Sequence, residues 1–422
     1  MIEEGAELLE ESLSLFGEAV SGFVYIYPLF MAYIWMTGAI YYFIKWERDE
    51  IKKGEPPKLE EYPMVSIVIP CYNESENIKE VIEHLSRLNY PNYEILAVND
   101  GSSDDTDKIL LSLLKDNEKL RVVDFILNQG KATGLNMAAM MAKGEYLVCI
   151  DGDSILEPDA ILWMMRYFVE NPRVGAVTGN PKVRNRSSIL GKLQVGEFSA
   201  IIGLIKRAQR IYGKIFAVSG VVTAFRKSAL HDVGYWSTDM ITEDIDVCWR
   251  LQIRHWDIKF EPNALCWILM PETIRGLWKQ RVRWAQGGVE VLLRYHEIFR
   301  HSEQKRMWPV YFEYLVSILW AFSVVIAIGM WLFSYVSGFP LGFDNKSIYA
   351  VMLGITFMLQ FFISFYISSH QEKCIFKNYF WMVWYPIAYW IIIAATSIAG
   401  TFKAFMRKKG KRAVWESPDR GV

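Results

Sequence analysis

Apolar residues are arranged along this chain in two different ways. Residues 23–44, 314–343, 347–369 and 378–402 contain no charged side chain. At a rise of about 1.5 Å per residue, each is long enough as a helix to cross a hydrocarbon layer about 30 Å thick. Residues 63–300 instead alternate short β-branched runs with segments whose apolar positions recur at helical spacing. Strands are predicted at 65–69, 94–98, 121–125 and 145–150. Helices are predicted at 77–88, where Ile78, Val81, Ile82 and Leu85 share a face, and at 104–115, where Ile109, Leu110, Leu113 and Leu114 do. Strand and helix in alternation predict an α/β fold with a mostly parallel, doubly wound sheet.

Charge orients the membrane segments. Glu3, Glu4, Glu7, Glu10, Glu11 and Glu18 precede the first apolar stretch without a Lys or Arg, and Lys45, Arg48, Lys52 and Lys53 follow it. Positive residues stay on the cytoplasmic side, so the middle domain is expected there. A cleaved leader is disfavoured by the acidic start and the length of the apolar run. The expected organisation is an acidic, extracytoplasmic segment at 1–22, a transmembrane helix at 23–44, a cytoplasmic α/β domain at 63–272 and interfacial helices at 273–300. About three hydrophobic, transmembrane segments at 309–402 and a basic tail at 403–422 complete it. Three crossings after the domain would put Lys403, Arg407, Lys408, Lys409, Lys411 and Arg412 outside, against their charge. Either one stretch is re-entrant or interfacial, or the tail is tolerated outside.

Composition narrows the function. Of 422 residues 52% are hydrophobic, with a mean hydropathy of +0.12, more than a soluble globular chain carries. A net charge of −1 without a broad basic run argues against nucleic acid as a partner. Cys71, Cys149, Cys248, Cys266 and Cys374 are too widely spaced for a zinc or redox motif and read as reduced, mostly buried thiols.

In parallel α/β sheets ligands sit beyond the carboxyl ends of the strands. Three predicted strands end in polar signatures: Pro70-Cys71-Tyr72-Asn73-Glu74, Asn99-Asp100-Gly101 and Asp151-Gly152-Asp153. Each alone is an ordinary turn. Together, at one sheet edge, they suit a nucleotide and a divalent ion. Mg2+ or Mn2+ takes one or two carboxylates and completes its shell with substrate phosphates, a pattern that Asp151 and Asp153 fit. Asp100 suits a base or ribose, or else a helix cap; Tyr72 and Glu74 are further donor-side candidates. Lys131, opening a helical segment after Gly130, is placed to face a phosphate.

Two later segments add chemistry. Thr242-Glu243-Asp244 precedes a helical pattern and reads either as an N-cap with an acidic first turn or as the seat of a general base, Asp244. Gln280-Arg281-Val282-Arg283-Trp284 lies in an amphipathic segment suited to the lipid headgroup layer. Its arginines could also steady a departing diphosphate, and Trp284 offers a sugar a flat face.

These motifs, in this order, resemble the processive family 2 glycosyltransferases, which include cellulose, chitin and hyaluronan synthases. The likeness is strongest to bacterial biofilm synthases of poly-β-1,6-N-acetyl-D-glucosamine, through residues 175–181, 203–207, 239–246 and 264–273. The resemblance implies a GT-A-like domain and inverting transfer from UDP-N-acetylglucosamine to a growing polysaccharide at the bacterial inner membrane. It implies Asp244 as the base, with Glu243 and Arg283 beside the reaction. Tyr72, Glu74, Asp100, Lys131, Asp151 and Arg281 would hold the donor, and Asp153 with Asp151 the metal. Gln280, Trp284, Ser219 and Gly220 would meet the acceptor. It also implies that transmembrane helices form the exit path and that cyclic di-GMP control acts through a separate small membrane subunit. Chitin, hyaluronan or a glucan is the alternative product, and a non-catalytic sugar-binding or export subunit the alternative class.

Overall fold

The computed structural model describes residues 2–49, 55–339, 347–408 and 410–414. Lys52, Lys53, Lys409, part of the second apolar stretch and the end of the basic tail lie outside the described residues.

The chain opens with one continuous helix, α1 (Ile2–Tyr42), so the acidic segment is not a separate element. The α/β domain follows as β1 (Val65–Cys71), α2 (Ile78–Leu85), β2 (Tyr93–Asp100), α3 (Thr106–Leu113), β3 (Leu120–Phe125), α4 (Lys131–Met141), β4 (Tyr146–Ile150), β5 (Ile155–Leu156) and α5 (Ala160–Glu170). It continues through β6 (Val174–Val183), α6 (Ile189–Phe198), α7 (Lys206–Tyr212), β7 (Val222–Arg226), α8 (Lys227–Asp232), α9 (Glu243–Ile253) and β8 (Asp257–Ile268). A π-helical stretch, Ser199–Ile205, joins α6 to α7. Next come α10 (Ile274–Tyr295), α11 (Trp308–Ser337), α12 (Ser347–Ser368) and α13 (Trp390–Met406).

The eight strands form one sheet in the order β3-β2-β1-β4-β7-β6-β8-β5. The four expected strands are all present, mutually parallel, and make up its first half. β7 then enters antiparallel between β4 and β6, so the sheet is mixed although most pairings are parallel. Period-two alternation sorts each strand between two apolar layers: β1 sends Val65, Ile67 and Ile69 to one and Val68 to the other. Each such side chain stabilises the fold by roughly 1.5–3 kcal/mol. Cys71, Cys149, Cys248 and Cys266 are buried free thiols; Cys374 is exposed.

Three helical stretches, Glu10–Glu47, Ser302–Ser337 and Ile348–Ser368, are long and apolar enough to cross a membrane. The fourth apolar stretch is not one continuous span. Pro386 cannot supply a helix-interior N–H, and the segment breaks into 3-10 turns at Ile375–Trp384, a π turn and the 17-residue α13. Trp320 and Phe322, on opposite sides of α11, meet Trp390 and Phe402, near the two ends of α13. α13 therefore runs steeply across α11. It lies against α10 so closely that a β-carbon on Gly400 would stand 2.6 Å from Ala285 Cβ and 2.9 Å from the Val282 carbonyl.

The tail after α13 returns to the α/β domain. Arg407 Nη1 donates to the Asp239 carbonyl at 2.8 Å and to Glu290 at 2.9 Å, and Ala413 N–H donates to the Thr238 carbonyl at 2.9 Å. The basic tail thus shares a side with the catalytic domain. The membrane helices are tied to that domain by a bidentate pair, Arg207 to Glu47 at 2.6 and 2.8 Å, with both side chains at most 2% exposed. Such a pair fixes orientation more than it adds stability, because desolvation offsets most of the attraction.

Candidate active site

The polar ends of β1 and β2 are laced together by hydrogen bonds. Asn73 takes a left-handed conformation (φ 57°), and its Oδ1 accepts from the Ser103 N–H at 2.9 Å. The Glu74 N–H donates to Thr106 Oγ1 at 2.8 Å, and the Ser75 N–H to Asp104 at 3.1 Å. These bonds close the loop after β1 onto the loop after β2. Tyr72 and Glu74 are held at that edge, with Glu74 fully buried.

Asp100 is the last residue of β2. Its Oδ1 accepts from the Gln129 N–H at 2.6 Å and its Oδ2 from the Gly130 N–H at 2.8 Å. It therefore caps the loop before α4, rather than the helix that follows it. Burial raises its carboxyl above the usual range, opposed by those two amides and by Arg412. Asp100→Asn must turn an NH2 group against a backbone N–H, whichever way the amide points. Loss of that buried hydrogen bond costs about 1–3 kcal/mol, so UDP binding measured by calorimetry should weaken by at least about fivefold. Affinity equal to wild type would remove Asp100 from the donor site.

Arg412, in the docked tail, donates to Gln129 Oε1 and, at 2.8 Å, to Thr133 Oγ1. The Ala413 carbonyl stands where a β-carbon of Gly130 (φ 87°) would be. The tail consequently borders the Asp100 pocket. Sequence reading missed this because the contact joins residues some 280 positions apart.

At the end of β4, Asp151, Gly152 and Asp153 form the expected turn, with Asp153 buried and Asp151 partly exposed. Gly152 is needed here: a β-carbon would press to 2.8 Å from Glu74 Cγ. Among the described residues no three His, Cys, Asp or Glu side chains are gathered as a metal cage. Two aspartates flanking a glycine fit an ion that a substrate diphosphate helps to hold, and Mg2+ or Mn2+ is bound in that manner.

Lys131, the first residue of α4, joins this turn to the second half of the site. Its Nζ donates to Asp151 Oδ1 at 2.5 Å and to the Gly220 carbonyl at 3.4 Å, and lies 3.6 Å from Glu243. Burial alone would lower its pKa, but Asp151 and Glu243 outweigh that and hold the ammonium above the ordinary lysine value. Glu243 is shifted upward by burial against the pull of Lys131.

Asp244 follows in the first turn of α9. Its Oδ1 accepts from the Ile245 N–H at 2.9 Å, and a β-carbon on Gly220 would come within 2.9 Å of its Oδ2. Gly220 thereby opens space in front of the carboxylate. The adjacent Ser219 N–H donates to Thr178 Oγ1 at 2.8 Å, and buried Lys206 donates to the same hydroxyl at 3.3 Å. Thr242 precedes α9 but its hydroxyl makes no capping bond and has no hydrogen-bond partner among the described residues. It instead packs against Gly287, where any β-carbon would collide with it. This contact seats α10 on the Asp244 turn.

α10 carries Gln280, Arg281, Arg283 and Trp284. Arg283 is exposed and is among the positive charges acting on Glu243. Gln280 is half-buried, its Oε1 unpartnered. Trp284 is partly exposed, its ring edge-on to Phe198 at 6.4 Å. Arg281 departs from the expectation of a diphosphate contact: it is 4% exposed, ion-paired with Glu197, and faces away into the helical layer. Residues two apart on an α-helix point about 200° apart, to nearly opposite faces, so Arg283 and Arg281 cannot both face the pocket.

The glycosyltransferase-like family 2 pattern matches residues 63–287. A poly-beta-1,6-N-acetyl-D-glucosamine synthase of Staphylococcus epidermidis is 43% identical over 415 residues, covering 95% of this chain and 98% of the relative. One of Staphylococcus aureus is 44% identical over 407 residues, covering 94% and 98%. Among solved structures, a mannosyltransferase from Pyrobaculum calidifontis, in complex with GDP-Man and Mn2+, superposes with a TM-score of 0.62 at 19% identity, covering 93% of this chain and 99% of its own. The last likeness concerns the fold.

Proposed function

This chain belongs to glycosyltransferase family 2, and from that premise we propose that it polymerises N-acetylglucosamine from UDP-N-acetylglucosamine into a β-1,6-linked chain. The observation that carries the reading is Lys131, which bridges Asp151 at the end of β4 and Glu243 beside Asp244. It brings a diphosphate-binding turn and a candidate base to one small volume.

In this reading Asp100 holds the nucleoside, and Asp153 with Asp151 would hold a divalent ion on the donor diphosphate. That ion supplies positive charge where the leaving diphosphate gains negative charge. Lys131 and Arg283 add to the same field, so UDP departs from the anomeric carbon into a positive environment. Asp244 takes the proton of the acceptor 6-hydroxyl as its oxygen bonds to that carbon from the opposite face, inverting the configuration. Trp284 offers a stacking face to the acceptor, and Ser219 and Gly220 leave room for its terminal sugar.

Membrane placement follows the same logic. Three crossings, α1, α11 and α12, with α13 at the interface, return the tail to the side of the catalytic domain, where Arg407 and Ala413 dock. Lys45, Arg48 and the basic tail then all lie in the cytoplasm, as the positive-inside tendency requires. This supports a multi-pass protein of the bacterial inner membrane, its polymer leaving along the membrane helices. Control by cyclic di-GMP through a small membrane subunit belongs to the proposal on the sequence resemblance alone.

The test is incubation of purified protein with Mg2+ or Mn2+ and labelled UDP-N-acetylglucosamine. Polymer is expected; release of free sugar alone, even in native membranes, would overturn the reading.

A further inference from the structure

Beneath Trp284 lies a buried charged group that the proposed chemistry does not use. Arg281 Nη2 is ion-paired with Glu197 on α6 and donates to the Tyr389 hydroxyl at 3.1 Å. The Tyr389 hydroxyl in turn donates to Glu197 Oε2 at 2.6 Å. Relative exposures are 4% for Arg281, 1% for Glu197 and 1% for Tyr389. The remaining guanidinium nitrogens, Nε and Nη1, are buried without a hydrogen-bond partner among the described residues. Their compensation lies above them: Arg281 Cζ sits 4.1 Å from the centre of the Trp284 ring. A planar cation under an indole is attracted by the ring's electron-rich face, which offsets part of the cost of burying its charge.

A buried charged triad is a poor way to stabilise a protein, since apolar side chains of similar volume do as well or better. Its benefit is directional. The fork of Arg281 is fixed by two partners on different elements, α6 and the turn that leads into α13, and so is the plane on which the indole rests. We infer that Glu197, Arg281 and Tyr389 form a strut that sets the tilt of the Trp284 ring and are positioning residues for the acceptor saccharide. The inference rests on the proposed acceptor role of Trp284. It also assigns Arg281 to the acceptor side of the reaction instead of the donor diphosphate.

The strut is tested in full-length protein by three variants, with labelled UDP-N-acetylglucosamine and a soluble N-acetylglucosamine oligosaccharide as probes. Tyr389→Phe removes one hydroxyl. The double variant Glu197→Leu/Arg281→Met removes both charges while keeping the volume, and avoids the unpaired buried charge that would unfold a single variant. Both should stay folded and melt cooperatively, the double variant somewhat below wild type because it leaves the Tyr389 hydroxyl without its two partners, and both should keep the donor KM within about twofold. Oligosaccharide KM should rise, and polymer formed per donor consumed should fall, by at least about fivefold in the double variant. A double variant that couples donor use to polymer as wild type does would overturn the strut. Equal loss of donor hydrolysis and elongation would overturn it too, by showing a packing role only. Trp284→Ala locates the error: unchanged coupling in that variant would contradict the acceptor reading of Trp284 itself and the strut with it.

Discussion

Asp244→Asn is expected to leave the protein folded and able to bind donor while polymer synthesis falls by about 10³-fold, within the range that a positioned general base contributes. The amide has the shape of the carboxylate, and its oxygen can still accept from the Ile245 N–H as Asp244 does at 2.9 Å. The packing of Thr242 against Gly287 is untouched. What is lost is a group able to take the proton of an acceptor hydroxyl. Turnover of labelled donor, measured beside the melting temperature, checks this. Synthesis within tenfold of wild type would exclude Asp244 as the base.

Asp153→Ala should act earlier, on donor binding. Asp153 is 6% exposed, and its Oδ1 accepts from Ser154 Oγ at 3.1 Å, so the carboxylate is aimed before any ligand arrives. A diphosphate carries dense negative charge and approaches Asp151, Glu243 and Asp244. Without a cation held at Asp153, those carboxylates repel it. UDP affinity should therefore fall by at least about a hundredfold in Mg2+ or Mn2+, and the dependence on metal should largely vanish. Titration calorimetry with and without metal measures both. Equal affinity and equal metal dependence would place the ion elsewhere.

The two variants separate because the site has two halves joined by Lys131. Asp100 and Asp153 stand at strand ends on the parallel half of the sheet, while Asp244 enters from α9, beyond the antiparallel β7. The strand-end half was legible in the chain itself. β1 to β4 follow from β-branched runs, and the polar residue after each run falls at the ligand edge of a parallel sheet. β2 runs on to Asp100, two residues past its last apolar position, because Asn99 and Asp100 continue the ladder with β3.

The other half was less legible, for reasons that are physical. β7 is five residues long, and its insertion between β4 and β6 depends on partners far away in sequence, which periodicity does not encode. Which arginine of Gln280-Arg281-Val282-Arg283-Trp284 faces the pocket is set by the rotation of α10, and that rotation is fixed by Gly287 and Gly288 on α10 accepting Thr242 and Tyr314, and by Gly400 on α13 accepting Ala285 and the α10 backbone at close range. Thr242 has the composition of a cap and serves as a packing contact. The conflict between helix count and tail charge, by contrast, was readable, but a proline alone could not resolve it: Pro28 lies inside the continuous α1, whereas Pro386 falls in the π turn that interrupts the fourth stretch. What sequence could not supply was the direction of α13 across α11 and the docking of Arg407 on Glu290.

The central claim is that this site builds a β-1,6-linked polymer of N-acetylglucosamine. Linkage analysis by nuclear magnetic resonance, on polymer made by the purified protein from UDP-N-acetylglucosamine and Mg2+ or Mn2+, tests it most directly. Substitution at the 6-position with β configuration throughout is expected; a chain linked through the 3- or 4-position, or one containing a second sugar, would rule out that product.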